Sequence, residues 1–98
     1  MTLEQFKETL LDDHPPAGMQ DLLKSLWFQG KNNWDQAHNI AQTIPTPKGS
    51  WVHAFLHRVE GDTGNAGYWY SRAGKKMPPY STNQEWEELV QYFLTRPV

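Results

Sequence analysis

The chain contains no cysteine. That absence excludes a disulfide framework, a thiolate zinc site and a cysteine nucleophile, and it fits a reducing compartment. No run approaches the ~20 consecutive apolar residues of a membrane span. The opening residues Met1-Thr2-Leu3-Glu4-Gln5 lack the basic and apolar regions of a signal peptide. The expected location is cytoplasmic, with no membrane partner. A large charge of one sign is absent too: 9 Lys and Arg face 11 Asp and Glu, a net charge of −2. This excludes a strongly basic nucleic-acid binder and an acidic tail protein. Aliphatic residues are scarce. Nine Leu, two Ile, four Val and four Phe make just under a fifth of the 98 residues. So lean a composition marks disorder only when the net charge is high.

Aromatic residues fill the deficit. There are five Trp, four Tyr and four Phe, and each ring can bury roughly 150–250 Å². The length is that of one ordinary domain, residues 1–98, folded around an aromatic-rich core.

The periodicity is helical almost throughout. Thr2 and Gln5 have capping-box spacing, and Leu3, Phe6 and Leu10 share one helical face. Pro15-Pro16 stops that helix. A second helix carries Met19, Leu22, Leu23, Leu26 and Trp27 and ends near Gly30. Asn33 caps a third, with Trp34, Ala37, Ile40, Ala41 and Ile44 inside, before Pro45-Thr46-Pro47. Ser50 caps a fourth, whose core stripe is Val52, Phe55, Leu56 and Val59. Gly61 closes it. Asp62 caps a fifth helix with Ala66, Trp69, Tyr70 and Ala73, which stops at Gly74. Thr82 and Glu85 form a second capping box for a sixth helix, with Trp86, Leu89, Val90, Phe93 and Leu94 inside and Pro97 at its end. No segment alternates with period two. The fold expected is all-α: a compact bundle of five or six short helices, successive ones antiparallel. Residues 33–41 and 62–70 look faintly alike at an offset of 29, each with an alanine where two helices cross. This resembles a tetratricopeptide-type hairpin, although a solenoid needs about three copies.

Residues 51–74 carry the functional information. They include His53-Ala54-Phe55-Leu56-His57-Arg58-Val59-Glu60-Gly61-Asp62, then Asn65-Ala66 and Tyr68-Trp69-Tyr70. This order resembles the recurring string of a family of small, mostly bacterial proteins with no established reaction: His-Ala-x-Leu-His-Arg-x-Glu-Gly-Asp-x-x-Asn-Ala-x-Tyr-Trp-Tyr. The resemblance covers about a quarter of the chain. It implies a helical domain with a shared site at this hairpin.

At 100° per residue, His53, His57 and Glu60 form a polar stripe beside the core stripe, while Arg58 points to the other side. On the fifth helix Asn65, Trp69 and Arg72 lie along one flank, and Ala66 with Tyr70 along another. Folding the hairpin creates a half-buried polar seam. Three chemistries compete for it. Buried polar groups need partners, so the seam can simply pin two helices in register. Two imidazoles, Arg58 or Arg72, and the Trp69 and Tyr70 rings can instead hold a small anionic or aromatic ligand. The net charge of +3 over residues 48–76 can attract an anion, although an ordinary mixed surface is the simpler reading of it. Finally, His at i and i+4 is metal-ligand spacing, with Glu60 or Asp62 as a third ligand or His38 reaching in from the third helix. Against this, Ala54 stands where the zinc-protease helix has its Glu, and no residue is evident to orient the imidazoles. The sequence therefore points to a ligand-binding or protein-interaction domain centred on residues 50–74. Its candidate contacts are His53, His57, Arg58, Glu60, Asp62, Asn65, Trp69, Tyr70 and Arg72. The alternative is a small, hydrolase-like enzyme with a divalent metal on His53 and His57. The partner expected is a small molecule or a protein, and not nucleic acid.

Overall fold

A computed structural model describes residues 1–96 of the chain. Six helices follow in order: α1 Leu3–Thr9, α2 Asp21–Gly30, α3 Trp34–Ala41, α4 Pro47–Val59, α5 Thr63–Ala73 and α6 Thr82–Thr95. Among the described residues there is no strand, and no helix is long and apolar enough to cross a membrane. The expected all-α bundle is the fold.

Local chemistry sets most helix ends. Thr2 and Gln5 close a capping box on α1. The side chains of Asn33 and Asp62 accept the backbone N–H groups of Gln36 and Asn65, so both N-caps stand as expected. The turns before these caps match. Asn32 (φ +60°) and Gly61 (φ +87°) both take the left-handed conformation. The next N–H reaches back to the helix just ended, from Asn33 to Phe28 and from Asp62 to His57. The faint likeness of residues 33–41 and 62–70 thus includes a repeated turn. Each turn delivers a fully buried alanine, Ala37 or Ala66, to a helix crossing.

Four boundaries differ from the sequence expectation, the first being α1, which ends at Thr9 with Leu10 as its C-cap, well before Pro15-Pro16. Helix α4 starts at Pro47, not after Ser50: Thr46 is its cap, Pro47 takes the first turn where its missing N–H costs nothing, and Ser50 is buried within the helix. This moves Ile44 out of α3, into the turn before the cap. The second capping box is one residue earlier, Ser81 with Gln84, which frees Glu85 for the interior. Met19 precedes α2 rather than lying in it. The expected stop at Pro97 falls outside the described residues.

Helix α4 is the centre of the bundle. Every residue from Gly49 to His57 is buried, and the helix packs on α2, α3, α5 and α6, most extensively on α5. A helix covered on all sides cannot be amphipathic in the ordinary sense. Val52, Phe55, Leu56, Val90 and Phe93 join one core with Phe6, Leu26, Trp27, Leu89 and Tyr70. Trp69 and Trp86, expected in that core, are only half-buried against it. Of the five Trp, only Trp27 and Trp51 are fully interior. Trp27, Trp34 and Trp86 each spend the indole N–H on a hydrogen bond, to Thr9, Leu56 and Leu26.

One buried side-chain polar atom among the described residues has no hydrogen-bond partner, Gln29 Oε1. An acceptor left in that state costs about 1–3 kcal/mol.

Leu56 is completely buried at the centre of α4. Leu56→Ala is expected to lower the unfolding free energy by ~2–5 kcal/mol in a urea melt. A loss below about 0.5 kcal/mol, the range of surface substitutions, would contradict the central position of this face.

Candidate metal centre

His53 and His57 are one turn apart on α4 and are 6 % and 7 % exposed. The side chain of His38 on α3 meets them. His38 Nε2 lies 3.0 Å from His53 Nε2, and the ring centres of His38 and His57 are 5.1 Å apart. One ring nitrogen from each of the three residues lies within 4.8 Å of those of the other two. His38 was raised by the sequence only as a possible third ligand. Its readable signal is its place four residues after Trp34, on one face of α3.

Two indoles enclose the cluster. Trp34 stacks on His38 at 4.7 Å between ring centres and 11° between planes. Trp69 stacks on His53 at 4.1 Å. The sequence places Trp34 only inside the third helix, with nothing to mark it as a neighbour of the histidines. Its indole N–H is bonded to the Leu56 carbonyl, which fixes the ring against α4.

The polar neighbours come from the end of α4 and the start of α5. His57 Nδ1 lies 2.8 Å from Glu60 Oε1, and its Nε2 lies 3.4 Å from Asn65 Nδ2. Glu60 and Asn65, which share the seam in the sequence pattern, thus both lie within hydrogen-bonding reach of an imidazole. These contacts fit an Nδ1–H that donates to the carboxylate and an Nε2 that accepts from the Asn65 amide. His38 and His53 must share a single N–H across their 3.0 Å contact.

Electrostatics keep these two rings neutral. Burial pushes the His53 imidazole down to about 4, and the neighbouring His38 and His57 rings add to the effect. His38 is lowered as well, by burial first and then by His57, against the opposite pull of Glu60 and Asp35. Neutral imidazoles are the form that ligates a metal.

The remaining residues singled out from the sequence divide. Asp62 caps α5 through Asn65 N–H at 3.2 Å, and its carboxylate also lies within 4.8 Å of ligand atoms on His57 and Glu60. Arg72 lies 5.5 Å over the Trp69 ring and donates to the Tyr68 hydroxyl, in an exposed position. Arg58 and Tyr70 do not join the histidines. Arg58 donates to Glu85 at 2.8 Å and to the Tyr80 carbonyl, while the Tyr70 hydroxyl donates to Glu85 at 2.7 Å. Glu85 is 1 % exposed. Burial and the Glu85 carboxylate push the Tyr70 hydroxyl well above its ordinary range, so it stays a donor. This second network ties α4, α5 and α6. Glu85 was expected to cap its own helix; nothing in the local sequence marks it as the partner of Arg58, 27 residues away.

Comparison with protein-family models, with curated proteins and with solved structures finds no match to this chain.

Asp62→Ala is expected to cost ~0.5–2 kcal/mol in chemical denaturation, through loss of the α5 cap. A pH dependence also follows from His53. Its folded value of about 4 lies below the ordinary 6.5. Between the two the unfolded chain binds more protons, so stability falls as pH drops from 6.5 towards 4. Thermal melts of chelator-treated protein across this window should show the fall, and His53→Leu should reduce it. An unchanged slope in the variant would mean that His53 is charged or solvated in the fold.

Proposed function

We propose that the protein binds one divalent transition-metal ion, such as zinc, through His38, His53 and His57. The observation that carries this reading is the meeting of three imidazole nitrogens from two helices, all within 4.8 Å. A tetrahedral ion with bonds of about 2.0–2.1 Å holds its nitrogens about 3.3–3.4 Å apart. The His38–His53 separation of 3.0 Å is close to that already. His57 closes the set by a small ring movement in which Asn65 releases its weak 3.4 Å contact. Glu60 supplies the carboxylate that fixes the tautomer and raises the basicity of His57.

On this reading the ligand of the residue 50–74 hairpin is the ion itself. The rings pack against each other and against Trp34 and Trp69, and a metal is the ligand such close packing accepts. Three neutral imidazoles leave the ion doubly charged with one position open, chemistry that polarises a bound water or carbonyl. The reading also accounts for the residue order that resembles the family string. His53, His57, Glu60, Asn65 and Trp69 serve the metal side of the hairpin, and Arg58 with Tyr70 clamps its other side to α6.

The test is zinc titration against a competing chelator, with stoichiometry from native mass spectrometry. One equivalent is expected. His38→Ala or His53→Ala should weaken binding at least ~100-fold, and Glu60→Gln, at an exposed position, by ~10–100-fold with the helical circular-dichroism signal retained. Absence of zinc uptake, or uptake that ignores all three changes, would leave the cluster as a hydrogen-bonded seam between α3 and α4.

A further inference from the structure

The histidine cluster has an acidic end and a basic end. Glu60 and Asp62 stand beside His57, where α4 gives way to α5. Helix α3 begins at that same end, because the Trp34 indole N–H is bonded to the Leu56 carbonyl, and Asp35 follows Trp34 there. Helix α5 then runs back along the cluster, with Asn65, Trp69 and Arg72 within about 60° on one flank. Asn65 meets His57 and Trp69 stacks on His53. Arg72, the third residue of that flank, therefore lies past His53, about 15 Å of helix away from Asp62.

Arg72 has the form of an anion receptor. Its guanidinium lies 5.5 Å over the Trp69 ring, and Nη1 donates to the Tyr68 hydroxyl at 3.2 Å. These two contacts orient the fork and leave its other N–H donors for a ligand. Among the described residues no carboxylate pairs with Arg72, whereas Glu85 neutralises Arg58. The way to the ion lies on the same side. His53 and His57 are closed in, while His38 and Trp69 are half-buried, so a ligand reaches the open coordination position past these two. Trp69 touches both groups, at 4.1 Å from the His53 ring centre and 5.5 Å from the guanidinium, which sets that guanidinium no more than about 10 Å from His53.

We infer that the ligand of the metal centre is a short aliphatic dicarboxylic acid, with one carboxylate on the ion and the other on Arg72. This rests on the reading that His38, His53 and His57 hold an ion with one position open. An acid of about five carbons spans the distance, with a metal–oxygen bond of about 2.0–2.2 Å at one end and a charge-assisted hydrogen bond of about 2.8 Å at the other. Its methylenes lie along the half-buried Trp69 ring. The acidic end of the cluster sets the direction. A second carboxylate turned towards Glu60 and Asp62 is repelled, and one turned towards Arg72 is paired. A monocarboxylate engages the ion alone.

The full chain is loaded with cobalt(II), whose visible spectrum reports its coordination. It is then titrated with glutarate and with monomethyl glutarate, which keeps the length and loses one charge. Glutarate is expected to shift the cobalt bands with a dissociation constant of about 1 mM or tighter. The monoester should bind at least ~10-fold more weakly. Arg72→Ala, at an exposed position and outside the three ligands, should keep the cobalt affinity and the weak binding of the monoester, and should lower glutarate to the level of the monoester. Two results would overturn the inference and leave the metal reading standing. One is an unchanged cobalt spectrum at about 10 mM glutarate, ten times the expected constant. The other is a preference for glutarate over the monoester that survives in Arg72→Ala. Failure of the native chain to take up cobalt would overturn both readings together.

Discussion

Helix α4 is covered on every side, and it carries two imidazoles and an arginine into that cover. Most of the remaining organisation answers this constraint. A polar group taken out of water without a partner costs several times what a net hydrogen bond returns. Each polar side chain on α4 must therefore be met by a neighbouring helix. The histidines are met from α3 and from the α4–α5 turn. Arg58 is met from α6. Removing the burial of α4 would make both arrangements unnecessary.

The two arrangements differ in kind. Around Arg58 the partners are charged and closed: a buried carboxylate takes one guanidinium bond and one phenol bond, and the Tyr80 carbonyl takes another. Such a network adds little net stability but penalises every misaligned packing of α4, α5 and α6, because an unpaired Glu85 in the interior is far more costly than the pair. Around the histidines the partners are the other imidazoles, with the Glu60 carboxylate and the Asn65 amide beside His57. Burial keeps His38 and His53 from acquiring protons. A cluster of lone pairs without a cation is poorly used by its own hydrogen bonds. This electronic surplus, rather than the spacing of two histidines along one helix, distinguishes the centre from an ordinary buried seam.

Much of this was legible in the chain because it is local. Caps at Thr2, Asn33 and Asp62 depend on side chains three residues from the N–H they bind. The stripes on α4 and α5 depend on 3.6 residues per turn, so His53, His57 and Glu60 on one side and Arg58 on the other followed from arithmetic. Errors arose where two local signals competed. Ser50 and Thr46 are both good caps, and Pro47 decided for Thr46 by its fit to the first turn. Thr82 and Ser81 competed in the same way, and the burial of Glu85 decided between them.

By itself the sequence determined the helical class, most helix ends, the placement of polar and apolar residues on each helix face, and the absence of thiol chemistry. The tertiary structure alone decided which faces met. It brought His38 across from α3, set Trp34 beside Trp69 as a wall of the histidine cluster, and gave Arg58 and Tyr70 their common partner Glu85. The physical reason is range. Capping and periodicity act over three or four residues, whereas the contacts from His38 to His53 and from Arg58 to Glu85 span 15 and 27 residues. They form only once the burial of α4 has fixed how the helices pack.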